Sequence, residues 1–570
     1  MSTAVRSVPA TGEAERGRRY REHGWWTGVP LAERFEGFVR DRPSAPAVHD
    51  DRGRRLSRAE LWRESGRLGA ELAGQGIGPG DVVLVFMPNR SEGLVAMLAA
   101  LRRGAIPANV PIRTDEDTLR YAAELCGARA LVTVERHGRT GTGELAAAAA
   151  RQCSRPPAIA RFAGDGTRTW TRPTPGAEAD AGTLGRGGGT DRAASPAPPA
   201  EALDHLMFTS STTGRPKAVM HTNDTLAALN VTFAERFVLG PDSPIFMPSP
   251  LGHSVGAIHG ARLALHTGAP LVLQDRWDPD RALATVARHR CRFTAAATPF
   301  LKDLVDARRP AGAKVPKLGS LSWFLCGGAQ VPPSLMERAE TEFPNTRVTV
   351  LWGMTEGGLT TCTADSPREK VLATAGIGLP GLELRTIDEH GDETPPGAEG
   401  ELAMRGPGVF VGYYAQDSLY ESLLTPDGFF HTGDLARIDE DGYVRITGRV
   451  KDLIIRGGVN ISPVPAEDAI AAFPGVRAVA VVGYPDERLG ERICAVVEMT
   501  GVAPPGPDAL AGFLRERGLP KHLWPELVRA VGEFPRTAAG KIRKNEVRDR
   551  IVAADRGGTP EAAGGGEAAR

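Results

Sequence analysis

The amino-acid sequence predicts an α/β protein in two parts. The large N-terminal domain combines parallel-sheet α/β subdomains with a small β-barrel-like subdomain, and a small mobile α+β domain follows it. Three observations predict this architecture. The 570 residues exceed what a single hydrophobic core organises. Short apolar strands alternate with helical segments as far as Gly358, which indicates a parallel sheet. From Gly381 onward short β runs separated by turns replace that alternation, and a compact mixed segment follows.

Composition and charge exclude several classes of protein. Lysine plus arginine and aspartate plus glutamate both number 69, so nothing indicates general attraction to nucleic acid or anionic membranes. The six cysteines contain no Cys-x-x-Cys pair, which offers neither a zinc site nor a disulfide framework and suits a reduced compartment. No run reaches about 18 apolar residues, and the N-terminus lacks the apolar core of a signal peptide. We therefore expect a cytoplasmic protein without a membrane span.

The first part of the chain alternates helices and strands. The predicted elements are a helix Leu56–Gly74, a strand Val82–Phe86, a helix Glu92–Arg103 capped by Asn89 or Ser91, a strand from Ile106, a helix Asp115–Cys126 and a strand Ala130–Val134. Residues 1–30 are polar and are expected to be disordered, apart from Trp25-Trp26, which could pack against the body of the protein. Residues 138–200 contain alanine, glycine and proline runs, which predict a flexible insertion or linker with one helix over Glu144–Arg151.

The most informative stretch is 205–221, in which two apolar runs enclose a hydroxyl-rich turn. The turn contains Thr209, Ser210, Ser211, Thr212, Thr213, Gly214, Arg215, Pro216 and Lys217. Consecutive backbone N–H groups, hydroxyl donors and a lysine suit a polyphosphate. This is not the common P-loop, because Ala218 follows the lysine and a strand, rather than a helix, comes next. An ordinary Ser/Thr-rich hairpin is the alternative interpretation.

Strand–helix alternation then continues through the middle of the chain. The predicted elements are a helix from Asn223 or Asp224 to Phe237, a strand–loop–helix Ile245–Ala257, a strand Pro270–Leu273, a helix Asp280–Arg290 and the strands Phe293–Ala296 and Leu321–Leu325. His253 lies among apolar and small residues, where a core role is the common alternative to a functional one. Gly327, Gly328 and Ala329 follow a strand at its carboxyl end, where open α/β sheets bind ligands.

Two further motifs carry oxygen and aromatic groups. In Thr349–Gly358, Trp352 offers a flat face for a base, while Thr355 and Glu356 offer oxygen ligands for Mg²⁺. The alternative is a core Trp352 and a solvent-facing Glu356. In Thr432-Gly-Asp434, the aspartate can accept two hydrogen bonds from a ribose diol or form a simple Asx turn.

A domain boundary is predicted at Gly448–Asp452. Beyond it the predicted elements are a helix Pro465–Phe473, strands Val476–Val482 and Ile493–Glu498, a helix Asp508–Arg517 and a strand Leu527–Val531. Lys541 lies on a polar loop, where a solvated basic patch is the alternative to a functional role. The predicted division is therefore 1–30, 31–447, a hinge at 448–452, a mobile domain at 453–552 and a disordered tail at 553–570.

Five motifs occur together in this order: the hydroxyl turn, Trp352-Gly-Met-Thr-Glu356, Thr432-Gly-Asp434, Gly448-Arg-Val-Lys-Asp452 and Pro535-Arg-Thr-x-x-Gly-Lys541. Jointly they resemble the adenylate-forming superfamily of acyl-CoA synthetases, luciferases and adenylation domains, over roughly residues 35–550. A nearer resemblance, to cyclohexanecarboxylate-CoA ligase-like proteins, rests on several shorter stretches. These are Val219-Met-His-Thr222, Pro250-Leu-Gly-His253, Ala297-Thr-Pro-Phe300, Ile455-Arg-Gly-Gly458, Pro485–Glu491 and Trp524-Pro-Glu526.

The resemblance implies a role for each matching residue. Thr209–Lys217 would wrap the β- and γ-phosphates of ATP, and Gly327, Gly328 and Ala329 would line the adenine site. Trp352 would stack on the base, with Gly353 and Met354 beside it. Thr355 would touch the α-phosphate and Glu356 would hold Mg²⁺. Asp434 and Arg449 would bind the ribose, Lys451 would be the hinge, and Lys541 would bridge the substrate carboxylate and the α-phosphate.

The resemblance also implies an acyl pocket at His253, Ser254, Gly256 and Phe300. A channel for coenzyme A would run along His253, Arg456, Gly457 and Gly458. The chain departs from the family at Ser211 and Ala218, where glycine is usual, and at Pro465, where glutamate is common; the two loop replacements place nucleotide affinity in question.

The implied reaction joins a carboxylic acid to AMP, releases pyrophosphate and then forms a thioester with coenzyme A. Residues Pro248 to His259 contain no carboxylate to pair with a substrate ammonium, so we expect an apolar alicyclic, aryl or short-to-medium aliphatic acid. Transfer to the phosphopantetheine of a carrier protein is the near alternative. A non-catalytic nucleotide-binding relative is a third interpretation.

Overall fold

The computed structural model describes residues 13–164, 166–173, 183–184, 202–209, 215–308, 318–327, 331–536 and 541–555. Seven of the predicted site residues lie outside the described residues: Ser210, Ser211, Thr212, Thr213, Gly214, Gly328 and Ala329.

The described helices are α1 Glu13–Glu22, α2 Leu31–Asp41, α3 Arg58–Gly74, α4 Ser91–Arg102, α5 Glu116–Leu125, α6 Thr142–Arg151, α7 Asn223–Phe237, α8 Ser254–Gly256, α9 Leu263–Thr267, α10 Pro279–Arg288, α11 Thr298–Ala307, α12 Pro333–Glu342, α13 Arg368–Ala373, α14 Asp417–Glu421, α15 Val464–Ala471, α16 Pro507–Glu516 and α17 Lys544–Asp555. A π-helix, Ala257–Arg262, joins α8 to α9, and 3₁₀ turns cover Val450–Asp452 and Lys521–Leu523. No helix in the described part of the chain is both long and apolar enough to cross a bilayer.

The described strands are β1 Pro46–His49, β2 Arg55–Ser57, β3 Val82–Phe86, β4 Ile106–Asn109, β5 Ala130–Val134, β6 Ala158–Phe162, β7 Arg168–Thr171, β8 Thr183–Leu184, β9 Leu203–Phe208, β10 Ala218–Thr222, β11 Ile245–Met247, β12 Leu271–Leu273, β13 Phe293–Ala297, β14 Trp323–Gly327, β15 Arg347–Met354, β16 Gly357–Thr361, β17 Ile377–Gly378, β18 Glu383–Ile387, β19 Glu399–Arg405, β20 Gly412–Tyr413, β21 Phe430–Ile438, β22 Val444–Arg449, β23 Ile454–Arg456, β24 Val459–Ile461, β25 Val476–Asp486, β26 Gly490–Met499 and β27 Leu527–Ala530.

Two large sheets form the body of the protein. The first sheet has the order β17-β16-β15-β14-β13-β11-β12-β1-β2, and the second has the order β20-β10-β9-β4-β3-β5-β6-β7-β8. The central pairs of both sheets are parallel, and antiparallel strands complete their edges. Because parallel strands point the same way, the loops that follow them meet at one edge of each sheet.

Helix α4 lies in the core that the two sheets share. All its residues from Ser91 to Leu101 are buried, as expected for a helix that is apolar on every face. Its side chains belong to one apolar cluster with β3 and β5 of the second sheet and with β11 and β12 of the first. This shared core fixes the two sheets relative to each other, so loops from both can contribute to one site.

The remaining strands form two smaller sheets. The predicted β-rich region is a four-stranded antiparallel sheet in the order β18-β19-β21-β22. Among the described residues the strand pairing starts at β18 and ends at β22, so this sheet is open rather than closed as the predicted β-barrel-like subdomain would be. Beyond the 3₁₀ turn at Val450, β24-β23-β26-β25 with β27 on β26 form a sheet that α15, α16 and α17 accompany, matching the predicted α+β segment.

Two regions that the sequence predicts as flexible or disordered are partly ordered. Within 138–200 the predicted helix is confirmed by α6, and in addition the strands β6 and β7 extend the second sheet, with Trp170 2% exposed. Small alanines fill this layer, so the alanine-rich composition conceals a packed segment. Within 1–30, the α1 residue Tyr20 is buried, and the Trp26 indole donates a hydrogen bond to the Pro407 carbonyl. The alanine-rich composition of 138–200 and the polar composition of 1–30 therefore both conceal packed segments.

Candidate functional site

The predicted site residues of the large domain follow the carboxyl ends of neighbouring strands. His253 lies beyond β11, Phe300 beyond β13 and Glu356 beyond β15, while Gly327 ends β14. From the second sheet, Thr209 follows β9 directly. Parallel register brings these loops to one edge, as the sequence predicts.

Glu356 is a buried carboxylate held on two sides. The Tyr413 hydroxyl donates a hydrogen bond to its Oε1 at 2.7 Å, and the Phe410 amide donates to its backbone carbonyl at 2.9 Å. Glu356 is 7% exposed, so the alternative interpretation of a solvent-facing Glu356 is wrong. Burial raises the pKa of Glu356, while the Tyr413 hydrogen bond and the charge of Lys217 act in the opposite direction.

Gly357 makes the turn after Glu356. Its φ is +95°, and a Cβ built there would lie 2.2 Å from the Gly408 carbonyl oxygen. A side chain could enter only if that backbone moved, so the position requires glycine. The tight turn and the Tyr413 hydrogen bond together fix the direction of the Glu356 carboxylate.

Thr355 is positioned by a residue of the second sheet. The Nε2 of His221, on β10, lies 2.8 Å from the Thr355 carbonyl oxygen, and its Nδ1 lies 3.0 Å from the Thr225 hydroxyl. Burial lowers the pKa of His221 to about 4. A neutral imidazole at ordinary pH therefore donates from Nε2 and joins the first sheet to the second beside Glu356.

Asp434 forms the second buried carboxylate of the site. The Trp352 indole N–H donates to its Oδ2 at 2.8 Å, and the Arg449 Nε lies 2.7 Å from its Oδ1. Trp352 is 8% exposed and packs in an apolar cluster with Val219 and Phe410. The structure thus places Trp352 largely in the core, with its polar edge on Asp434; its stacking on a base stays a prediction.

The hydroxyl turn connects two antiparallel strands, β9 and β10. The Thr209 amide donates to the Lys217 carbonyl at 3.0 Å, which closes the described ends of the turn. The prediction of a strand, rather than a helix, after Lys217 is confirmed. The Lys217 Nζ lies 4.6 Å from the centroid of the Tyr413 ring, within the range of a cation–π contact.

Lys541 comes from the segment before α17 and reaches the same site. Burial lowers its pKa to about 8, and repulsion from Arg449 and Lys451 contributes, while Asp434 and Glu356 act in the opposite direction. Lys541 is thus close enough to these residues of the large domain for their charges to act on it. It is partly buried, which disfavours its interpretation as part of a solvated basic patch, and its catalytic role stays a prediction.

Two buried asparagines hold the loop that carries His253. Asn89 donates from Nδ2 to the Ser249 carbonyl at 2.9 Å and accepts the Leu251 amide at 2.8 Å. Asn109 donates to the Leu251 carbonyl at 2.7 Å. The prediction that Asn89 or Ser91 caps α4 is wrong: Arg90 holds the cap position, and Asn89 binds the opposite sheet instead.

His253 is the N-cap residue of α8 and is partly buried. Burial and, to a smaller extent, the positive charge of Lys541 lower its pKa to about 4. Gly256 follows His253 in the same loop, and a Cβ built on Gly256 would lie 2.2 Å from the Pro250 carbonyl oxygen. The loop is therefore closely packed, and the π-helix that follows it is a feature often found beside functional sites.

The other predicted site residues are placed as follows. Ser254 and Phe300 are partly buried, and the Phe300 ring packs edge-on against Trp277 with centroids 4.6 Å apart. Gly353 is exposed and Met354 partly buried, both at the end of β15. Lys451 lies on the 3₁₀ turn between β22 and β23, an exposed position.

The predicted thiol channel is not assembled in this arrangement. Gly457 and Gly458 form an exposed turn between β23 and β24, and Arg456 pairs with Glu526 at 2.7 Å. Among the described residues, the structure shows no hydrogen bond or ion pair from this turn to His253. The site therefore contains Lys541 and lacks the Gly457–Gly458 turn.

The charges fit a magnesium–nucleotide complex. Four cations, Lys217, Arg449, Lys451 and Lys541, surround the buried carboxylates of Glu356 and Asp434. No group of three or more potential metal ligands gathers within the described ranges. A single carboxylate suits Mg²⁺, which keeps waters and takes its other ligands from phosphates. One Glu356 oxygen accepts from Tyr413, and a carboxylate retains further acceptor capacity beyond that bond.

Sequence comparison identifies the family. The model described as "AMP-binding enzyme" matches residues 35–414, and the model of the "AMP-binding enzyme C-terminal domain" matches 466–541. This chain belongs to the AMP-binding enzyme family. The predicted superfamily is confirmed; the nearer resemblance to cyclohexanecarboxylate-CoA ligases stays a prediction.

Several related proteins align with nearly the whole length of this chain. A medium-chain fatty-acid–CoA ligase of Escherichia coli K12 is 31% identical, over 96% of this chain and 94% of the relative. A salicyl-AMP ligase/salicyl-S-ArCP synthetase of Mycobacterium tuberculosis is 34% identical, over 94% and 93%. The crystal structure of ATP-bound MatB from Rhodopseudomonas palustris is 28% identical, with a TM-score of 0.78 and coverage of 92% and 99%. The predicted fold class is therefore confirmed.

Four residues that hold the loops of the site in place were not predicted from the sequence: Tyr413, His221, Asn89 and Asn109. His221 and Asn89 each appeared in a motif or a cap prediction, but without this role. Tyr413 has no local signal, because its partner Glu356 is 57 residues away. A polar residue at or just beyond the carboxyl end of a buried strand is a feature that could have indicated Asn109, which ends β4, and Asn89, which follows β3.

Replacing Asn89 tests the support of the His253 loop. In Asn89→Ala the Leu251 amide and the Ser249 carbonyl lose a buried partner, so we expect the free energy of unfolding to fall by about 1–3 kcal/mol. Hydrogen exchange measured by mass spectrometry should accelerate in peptides covering 248–253. Asn345→Ala, at an exposed position, is the control and should change stability by less than about 0.5 kcal/mol. Unchanged exchange at 248–253 would contradict this role of Asn89.

Proposed function

We propose that this protein activates an apolar carboxylic acid with ATP and then transfers the acyl group to the thiol of coenzyme A. One observation carries the proposal. Lys541, from the C-terminal part of the chain, lies with Glu356, Asp434 and Arg449 at the strand edge where Lys217 also ends the hydroxyl turn. A site with this surplus of cations suits two reacting anions, a carboxylate and a triphosphate.

In the first step a substrate carboxylate oxygen forms a bond to the α-phosphorus of ATP. The bond from that phosphorus to the bridging oxygen breaks, and its electron pair leaves with pyrophosphate. Lys541 stabilises the two approaching anions, and Lys217 stabilises the departing phosphates. At about 4 Å, opposite unit charges attract by about 4 kcal/mol at an effective dielectric constant of 20. Magnesium, held by Glu356, would supply further positive charge to the phosphates.

In the second step a thiol sulfur attacks the acyl carbon, the bond to the AMP oxygen breaks, and the thiol proton is released. The arrangement with Lys541 in the site serves the first step. The Gly457–Gly458 turn, exposed here, would enter the site for the second step by rotation of the C-terminal domain about Lys451.

The acid-binding side supports an apolar substrate. The loop from Pro248 to His259 carries no carboxylate, His253 is neutral at ordinary pH, and Phe300 presents an aromatic ring. An amino acid would leave its ammonium unpaired there. The relatives named for medium-chain fatty acids and for salicylate favour aliphatic or aryl acids.

A carrier protein is the second candidate for the acceptor. The relative named salicyl-S-ArCP synthetase, 34% identical along nearly the whole chain, favours it. Both acceptors present the same phosphopantetheine thiol, so the first step does not distinguish them.

The deciding experiment is ATP–pyrophosphate exchange over a panel of carboxylic acids, followed by an acceptor assay. We expect exchange with aliphatic, alicyclic or aryl acids and little with amino acids. Acyl-CoA formation supports the lead proposal, and loading of a holo-carrier protein without acyl-CoA supports the second. Exchange driven best by amino acids would overturn the substrate assignment.

Lys541→Ala should separate the two steps. Loss of the cation from the α-phosphate should slow adenylation by about 100-fold or more, by analogy with the loss of a preorganised donor. Thioester formation from supplied acyl-adenylate should persist, because Lys541 has left the site in that step. Pre-steady-state assays of each half-reaction measure this. An equal loss in both half-reactions of a folded variant would contradict the two-arrangement mechanism.

The pH dependence of adenylation should report on Lys541. Because burial lowers its pKa to about 8, the charged fraction falls as pH rises through that value, and kcat/KM for ATP should decline above about pH 8. In Lys541→Arg the guanidinium stays charged, so the decline should disappear even if the overall rate is lower. A parallel thermal-unfolding series checks that the protein stays folded. An unchanged alkaline decline in Lys541→Arg would exclude Lys541 as its source.

A further inference from the structure

Tyr413 is a buried tyrosine with two separate contacts to residues of the candidate site. Its hydroxyl lies 2.7 Å from the Glu356 Oε1, and its ring lies under the Lys217 Nζ at 4.6 Å. The residue is 2% exposed and lies on β20, which pairs with β10. One side chain therefore joins the end of the hydroxyl turn to the carboxylate after β15.

We propose that Tyr413 is a positioning residue for the metal–triphosphate complex, aligning the Glu356 carboxylate through its hydroxyl and the Lys217 ammonium through its ring. This inference rests on the proposed function, because it assigns Mg²⁺ to Glu356 and phosphates to Lys217.

The hydroxyl has a specific effect on the carboxylate. An ionised carboxylate can only accept, so Tyr413 must donate its one proton to Glu356. That bond fixes one oxygen and leaves the remaining acceptor positions directed elsewhere. Partners that hold a metal-ligating carboxylate set its orientation and thereby the affinity for the metal.

The ring has a separate effect on the lysine. Lys217 follows the turn at the start of β10, where its ammonium could adopt many rotamers in the absence of a contact. The negative face of the aromatic ring attracts the ammonium without neutralising its charge. The charge of Lys217 therefore stays available for an anion. A carboxylate partner would have neutralised that charge.

Ring packing and backbone hydrogen bonds hold Tyr413 in place independently of its contacts with Glu356 and Lys217. The Tyr413 ring packs edge-on against Phe410 with centroids 4.9 Å apart, and the flanking Val411 and Tyr414 amides donate to the Met220 and Ala218 carbonyls of β10. Loss of the hydroxyl alone should therefore leave the ring where it is, and a phenylalanine variant isolates the hydrogen bond.

The test measures binding of ATP by calorimetry as a function of Mg²⁺ concentration, without any acid or thiol. In Tyr413→Phe we expect the Mg²⁺ concentration for half-maximal enhancement of ATP binding to rise by about 10-fold or more. Affinity for ATP without Mg²⁺ should stay near the wild-type value. Tyr413→Leu should lose the ring as well and weaken metal-free ATP binding by about two- to five-fold.

Tyr414→Phe is the matched control, since it removes the same hydroxyl one residue further along and outside the site. It should leave the Mg²⁺ dependence unchanged. A double-mutant comparison provides an independent test. In a Glu356→Gln background, Tyr413→Phe should shift the Mg²⁺ midpoint little, because the carboxylate that Tyr413 orients is gone.

The outcomes separate the inference from the proposed function. Absence of Mg²⁺-dependent ATP binding in the wild-type protein would overturn the proposed function. Wild-type binding with an unchanged Mg²⁺ midpoint in Tyr413→Phe, or full additivity with Glu356→Gln, would overturn the role of Tyr413. A folded Tyr413→Phe protein with a raised midpoint and unchanged metal-free affinity supports it, since general destabilisation would lower both affinities.

Discussion

The structure of the site depends on the energetic cost of burying charge. Glu356 and Asp434 are both nearly inaccessible to solvent, and a buried carboxylate is stable only with hydrogen-bond donors or cations around it. Tyr413 supplies a donor to the first, and Trp352 and Arg449 supply both partners of the second. The further cations then exceed what the two carboxylates neutralise. That excess is the physical basis for binding a polyanion in a protein whose formal net charge is zero.

Such a charge arrangement requires that the loops from the two sheets keep fixed positions relative to each other. The shared core around α4 sets the distance between the sheets, and Asn89 joins them through backbone groups of the His253 loop. His221 makes the corresponding connection to Thr355. These are buried polar bonds in an otherwise apolar region, and the Asn89 amide group has backbone carbonyls of both the His253 loop and Gln274 within hydrogen-bond distance. They position the loops more specifically than apolar packing could.

The sequence allowed much of this to be predicted, for identifiable reasons. Periodicity located most of the central strands of both sheets but not the strands at their edges, and motif order indicated the family and the candidate residues Glu356, Asp434 and Lys541. The ordered segment around Trp170 was missed because its burial depends on pairing with the neighbouring strand, which a local sequence pattern does not show. Tyr413 was missed because its function lies in contacts between distant residues. Local pattern carries secondary structure and motifs, but pairings such as Tyr413–Glu356 arise only from the tertiary fold.

The same site cannot serve both chemical steps in one arrangement. In the proposed mechanism, Lys541 and the approaching thiol both need the region beside His253, where the charge of Lys541 acts on the imidazole in the present arrangement. Moving Lys541 out of the site would, in that mechanism, relieve its burial and its repulsion from Arg449 and Lys451 once the triphosphate charge has left as pyrophosphate. Release of that anion would weaken the attraction that holds Lys541 in the site. Charge would then favour the proposed rotation of the C-terminal domain without a separate signal.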